Sequence, residues 1–188
     1  MLAAFLSAVA LLNLSPALAA KDVRAATEAA LAPLKKGASG HAEQKTCFAC
    51  HNQATPVLAF ATAKERGFDV SANLLESQAE HVIGFIDTNR DRFKDGRGTG
   101  GQAATASYAL FTLELAGHKP DENTAAVAGY LLKTQSDRDH WRTTSNRPPT
   151  EASDFTTTYL TMRALRVWGP AAKLDKELIA KRVETGRA

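Results

Sequence analysis

Ala104-Thr105-Ala106-Ser107-Tyr108-Ala109-Leu110-Phe111-Thr112-Leu113-Glu114-Leu115-Ala116-Gly117 is the stretch that decides the fold. Its apolar residues recur at helical spacing, and the glycine ends the pattern. Two other segments end the same way. Gly67, Gly117 and Gly169 each close a helical pattern, at separations of 50 and 52 residues. Aligned on those glycines, Leu58 matches Tyr108 and Leu160, and Phe60 matches Leu110 and Met162. Thr105 matches Thr157, and Leu113 matches Leu165. After each glycine comes a short polar cap and another helix, at Asp69 to Ser71, Pro120-Asp121 and Ala171 to Asp175. A period near 50 with two helices per unit predicts stacked helical hairpins. The alternative is a chance alignment of amphipathic helices.

The remaining segments carry the same punctuation. Val23 to Leu34 reads as a short, Ala-rich helix, and Lys35 to Gly40 as a polar connector. Thr55-Pro56 predicts an N-cap with proline at the first helical position, opening a helix from Val57 to Arg66. Ser71 caps the next, with Leu75, Ala79, Val82 and Ile86 on one face. Thr88 to Gly101 is polar and glycine-rich. Tyr130, Leu131 and Leu132 lie near the end of the helix that Pro120-Asp121 opens. A second polar stretch, Ser136 to Ser153, holds Trp141 and Pro148-Pro149. Helices then run from Phe155 to Trp168 and from Leu174 to Val183. Nothing reads as a strand for more than a few residues, so the class is all-α.

The N-terminus reads as an export signal. Leu2 to Leu14 is apolar apart from Ser7 and Asn13, and Ala17-Leu18-Ala19 fits a small-x-small cleavage site. No Lys or Arg precedes the apolar run, a departure from the usual signal. A short N-terminal helix of the domain is the other reading. The expected organisation is a signal peptide over 1–20, an N-terminal helix and linker over 21–45, and one domain over 46–188. The chain is then periplasmic or secreted. No segment is long enough to span a bilayer in the mature chain. Net charge is +3 with pI near 8.9, and the basic residues are scattered among acids. That balance implies neither nucleic acid nor a membrane surface as partner.

The chemistry concentrates in Cys47-Phe48-Ala49-Cys50-His51, which uses both cysteines of the chain. This is the c-type haem attachment spacing. Two thiols about one helical turn apart reach the two vinyl groups as thioethers, and the adjacent imidazole is carried under the iron. The expected cofactor is covalent haem c on Cys47 and Cys50, with His51 as proximal iron ligand. Three other readings stand beside it: a redox-active CxxC pair, a metal site of Cys47, Cys50, His51 and His41, and an inert disulfide. The sixth haem ligand decides between electron transfer and ligand chemistry. Met162 is the only methionine beyond the signal, though its repeat position suits core packing. His41, His81, His118 and His140 are the other candidates, and an open position is equally compatible.

Gly96 to Gly101 suggests a phosphate loop but follows no strand and lacks the Gly-Lys-Ser/Thr ending. It reads as a flexible connector. Arg90, Arg92, Lys94 and Arg97 form either a cationic patch facing a haem propionate or a solvated loop. Arg142 and Arg147, with Pro148-Pro149, make a second, rigid basic loop. Trp141 reads as a packing anchor between hairpins.

From Thr46 to Pro170 the chain resembles the α/α-toroid family of squalene-hopene cyclases and protein prenyltransferases. It looks most like exported bacterial members with a c-type haem motif ahead of the repeats. The residues that carry this are Cys47 to Gly67, Tyr108-Ala109-Leu110, Gln135 with Trp141, and Arg147 to Ser153 leading into Thr156 to Leu165. The resemblance implies an arc of a toroid, with Tyr130 to Trp141 as a degenerate Gln-to-Trp motif locking helix ends to loops. Asp139 stands where that motif has glycine. The cyclase Asp-x-Asp-Asp run is absent, leaving Asp154 and Glu151 as the acids in context. The prenyltransferase zinc site cannot be built, because the only cysteines lie in the haem motif. Three hairpins are half of a six-hairpin toroid, which leaves an open arc, an incomplete toroid and a homodimer as alternatives. The expected function is single-electron transfer to a redox partner protein. The rivals are a toroid-derived enzyme on a hydrophobic or polymeric substrate, and a non-catalytic binding module.

Overall fold

The computed structural model describes residues 16–187, and these described residues form eight α-helices. They are α1 (Pro16–Gln44), α2 (Thr55–Glu65), α3 (Ala72–Thr88), α4 (Arg90–Lys94), α5 (Gln102–Leu115), α6 (Glu122–Lys133), α7 (Asp154–Trp168) and α8 (Lys176–Thr185). A π-helical turn, Cys50–Ala54, leads into α2. Among the described residues the only β pairing is one antiparallel bridge, Arg147 with Glu151. The fold class is therefore all-α. The apolar run of the signal reading, Leu2 to Leu14, lies outside the described residues.

α2, α5 and α7, the three helices ahead of the aligned glycines, pack side by side with α5 in the middle. Each also packs on the helix that follows its turn: α2 on α3, α5 on α6, α7 on α8. α3 touches α6, and α6 touches α8, as a second row. α1 lies against α2 and α3.

α5 is the centre of the core. Ala103, Ala104, Ala106, Ala109, Leu110 and Leu113 are completely buried. Its small side chains let neighbouring backbones come close, as a helix buried nearly all round requires. Two of its buried hydroxyls are turned on its own backbone: Ser107 Oγ donates to the Ala104 carbonyl at 3.1 Å, and Thr112 Oγ1 to that of Tyr108 at 2.8 Å.

Two of the aligned glycines close their helices alike. Gly67 (φ +77°) and Gly117 (φ +74°) are left-handed. The next amides turn back, Phe68 N to Ala63 O at 3.0 Å and His118 N to Leu113 O at 2.9 Å. Gly169 is different. It is helical (φ −57°), and the left-handed residue of that turn is Lys173 (φ +54°). Gly169 serves close approach instead, since a Cβ there would meet Ile179 Cδ1 of α8 at 2.6 Å.

Three further expectations are corrected. The connector Lys35 to Gly40 is helix, because α1 runs on to Gln44. Ala38 is 1% exposed against Val57, Phe60, Leu74 and Leu75, and that packing outweighs the poor helix propensity of Gly37 and Gly40. Thr55 is not an N-cap: it is helical (φ −67°, ψ −45°), and its hydroxyl donates to the Cys50 carbonyl at 3.2 Å. The cap moves back to extended Ala49, whose N–H donates to Gln53 Oε1 at 2.8 Å. Nor is Gly96 to Gly101 a connector without contacts, and the polar stretch from Thr88 that leads to it is in part helical. That stretch contains α4, whose Phe93 is buried edge-on to Tyr130, and Arg92 Nε donates to the Gly98 carbonyl at 2.8 Å. Gly98 (φ +59°) lies under Tyr130, where a Cβ would come 2.5 Å from the phenol oxygen.

Trp141 anchors the long segment between α6 and α7. It is completely buried, and its Nε1 donates to the Leu131 carbonyl at 3.0 Å. Its main-chain N–H and carbonyl both bond the Thr158 hydroxyl, at 3.1 and 2.9 Å. The Arg182 guanidinium lies 4.1 Å from the ring centroid. Gln135 clamps the next residue, accepting from Arg142 N at 2.7 Å and donating to Arg142 O at 3.1 Å. Trp141→Phe leaves the Leu131 carbonyl without its donor and is expected to lower stability by about 1–3 kcal/mol. Trp141→Ala also opens a cavity and is expected to cost about 3–5 kcal/mol. Urea unfolding midpoints of the two variants check the order.

Candidate functional site

The Cys47–His51 stretch enters the fold between the end of α1 and the start of α2, and the π turn packs on α1, α2 and α5. Phe48 holds it to the core, its ring centroid 5.9 Å from that of Phe85. The two cysteines face different environments. Cys47 is exposed and Cys50 buried, at 1% exposure, and both are free thiols. His51 is exposed.

Two histidines grip the backbone at Cys47. His41 Nε2 from α1 and His81 Nε2 from α3 lie 3.0 and 3.1 Å from the Cys47 carbonyl oxygen. The rings meet edge to face at 5.8 Å. A carbonyl can only accept, so both Nε2 atoms donate. His41 Nδ1 is then free to accept from Asn52 Nδ2 at 3.0 Å. One carbonyl thus ties α1, α3 and the start of the turn together.

Cys50 faces the other way, into a cluster supplied by residues about a hundred positions later. Its Sγ donates to Glu151 Oε1 at 3.6 Å. Glu151 is 7% exposed, and its other oxygen accepts from Ser145 Oγ and Arg147 Nη2, both at 2.5 Å. The Arg147–Glu151 bridge fixes that carboxylate, with main-chain bonds of 2.9 and 3.0 Å. Gly101 (φ +79°), at the N-terminal end of α5, lies beside it, and a Cβ there would clash with Thr105 Oγ1 while only touching Glu151 Oε2 at 3.5 Å. Burial, then the charge and hydrogen bond of Glu151, push the Cys50 thiol well above its ordinary value. Tyr108 is raised too, by burial first and then by Cys50 and Glu151.

The other expected site residues do not gather here. Met162 is partly buried on α7 and lines cavities with Glu114 and Tyr159 on one side and with His140 and Phe155 on the other; no residue of the turn shares them. His118 Nε2 bonds the cap residue Asp121 at 3.0 Å, and His140 Nδ1 bonds Asp139 at 2.5 Å. Asp154 accepts from Thr143 N at 2.8 Å and from Arg142 Nε at 3.2 Å. It borders a cavity of about 780 Å³ with Phe155 and Tyr159, but its carboxylate is committed to that loop. Arg90 pairs with Asp87 and Glu122, and Arg97 with Asp95, so two of the four basic residues of the stretch between hairpins are taken up in ion pairs.

Haem can be tested against this arrangement. The residue types and spacing fit: Cys47 and His51 are exposed. Cys50 does not, as placed, because its sulfur is enclosed and bonded to Glu151. A thioether there requires the sulfur to leave that carboxylate. No group of three or more His, Cys, Asp or Glu among the described residues is arranged to hold a metal ion. Compared with family models, curated proteins and solved structures, the chain has no significant match.

The contacts that sequence reasoning missed are the pairings. His41, His81 and Glu151 each stood out singly; nothing in the spacing joined the two histidines to one carbonyl, or Glu151 to Cys50. The buried thiol makes stability pH-dependent. The folded chain keeps the Cys50 proton above the ordinary value near 9.0, where the unfolded chain loses it. Stability is therefore expected to hold below that pH and to fall as pH rises through it. Thermal unfolding from pH 7 to 10.5 should show a shallower decline for Cys50→Ala than for the wild type.

Proposed function

We propose that the chain is an extracytoplasmic redox protein that carries haem c on Cys47 and Cys50, with His51 as proximal ligand, and passes single electrons to a partner protein. The observation that carries the reading is the CxxCH spacing, which takes up both cysteines and sets a histidine directly after them. Exposure of Cys47 and His51 supports it, as does the anchoring of Cys47 through two histidines from separate helices. The bound group would supply one-electron chemistry, at a potential set by its axial ligands and its burial. The chain's own part is to orient the turn and to free the Cys50 sulfur from Glu151.

The scaffold in this reading is an arc of an α/α toroid built from helical hairpins. Its support is the order of contacts: three leading helices in one row, each packed on its own follower, with the followers in a second row. The Gln135 clamp on Arg142 beside buried Trp141 is the kind of lock such repeats use. Among the described residues no helix is long and apolar enough to cross a membrane.

The test is export in a host with cytochrome c maturation, beside a Cys47→Ala/Cys50→Ala control. Haem that stays with the wild-type chain through denaturation, and is missing from the control, is the expected result. A six-coordinate reduced spectrum would assign electron transfer. A wild-type chain without haem removes the reading.

A further inference from the structure

The contact between Cys50 and Glu151 has chemistry of its own, independent of haem. A cysteine pair three residues apart, with one sulfur exposed and the other buried, is asymmetric in reactivity. Only Cys47 meets a reagent from solvent, since Cys50 is 1% exposed. The buried partner is hydrogen-bonded to a carboxylate that is itself almost enclosed. That carboxylate is oriented by Ser145, Arg147 and the main-chain bridge. A buried acid held on a buried thiol, three residues from an exposed thiol, is an arrangement for moving one proton.

We propose that, while its sulfurs are free, the chain is a dithiol–disulfide couple in which Cys47 is the attacking thiol, Cys50 the resolving thiol, and Glu151 the group that takes the Cys50 proton. The oxidant is a disulfide RSSR, small or on a protein. Cys47, having lost its proton to solvent, attacks one sulfur of RSSR. A Cys47–S–S–R bond forms and RS⁻ departs, to be protonated from solvent. Glu151 then takes the proton of Cys50, whose sulfur attacks Cys47 Sγ. The Cys47–Cys50 disulfide forms, and the second RS⁻ leaves with the proton that Glu151 releases. Two thiols are oxidised, one disulfide is reduced to two RSH, and two electrons have moved.

Glu151 has two opposed effects, and they separate its role as base from its role as a mere charge. A bystander carboxylate holds the thiol protonated, so removing it would speed resolution. A proton acceptor speeds resolution, so removing it slows the step, with general bases contributing about 10²–10⁴-fold.

The experiment uses the full chain exported in a host with cytochrome c maturation, its haem content read first from the reduced spectrum. The reduced chain is mixed with 5,5′-dithiobis(2-nitrobenzoate), and thionitrobenzoate release is followed in time. Intact mass then distinguishes an internal disulfide from adducts. Wild type should release two equivalents in two phases and end without adduct; Cys50→Ala should release one and keep an adduct on Cys47. In Glu151→Gln the second phase should slow about tenfold or more. Glu151→Asp, which keeps a carboxylate, should recover part of that rate. Circular dichroism establishes that the variants are folded, and the first phase, which does not involve Glu151, should stay unchanged. An unchanged or faster second phase in folded Glu151→Gln overturns the proposal, as does an adduct on both cysteines of the wild type. A chain isolated with both sulfurs in thioethers also overturns it, while leaving the haem reading standing. Free thiols, no haem and a Glu151-dependent second phase support the couple and remove the haem reading.

Discussion

The burial of α5 is the constraint from which the rest of the arrangement follows. A helix packed against α2, α3, α6, α7 and the π turn has little surface left on which to present large polar groups. It is built largely of small and branched apolar residues, with the Ser107 and Thr112 hydroxyls returned to its own carbonyls. Once such a helix is made, its neighbours are held at short distance around it. The charge it does carry, Glu114 near its C-terminal end, is paired: Arg163 of α7 makes a bidentate contact with it at 2.7 and 2.9 Å.

The N-terminal end of α5 is where two distant pieces of chain meet. From one side comes the turn bearing Cys50; from the other comes the segment between α6 and α7, which carries Glu151 near its end. That segment has little regular structure, yet it is fixed at four places: Gln135 on Arg142, Trp141 in the core, Asp154 on Thr143, and Arg147 bridged to Glu151. Its irregularity therefore does not imply freedom. The fixing has a chemical consequence, because it puts a carboxylate on a thiol that water scarcely reaches. Burial and like charge then work in the same direction on Cys50.

Much of the helical order was legible. The ends of α2 and α5 could be read from Gly67 and Gly117, since left-handed closure is a local demand that a side chain resists. The capping of α6 could be read from Asp121, whose side chain accepts from Thr124 N at 2.8 Å. Gly169 was legible only as a helix end, because its reason is α8, a tertiary neighbour. The length of α1 was hidden for the same cause: Gly37 and Gly40 signal a break, and only the pocket that receives Ala38 reverses it. At the site, the motif itself could be read from spacing, but the partners of Cys47 and Cys50 could not. His41 and His81 lie on different helices, and Glu151 is 101 residues from Cys50, so no periodicity links them.

The central claim is that the turn and the segment ending at Glu151 are energetically one unit, joined through Cys50. A double-mutant cycle on stability at neutral pH tests it most directly, with Cys50→Ala, Glu151→Gln and the pair measured by urea unfolding. The account predicts non-additivity, a coupling of about 0.5–3 kcal/mol, since each substitution removes the same contact. Additive effects would contradict it, and would mean that Cys50 and Glu151 are buried near each other without depending on each other.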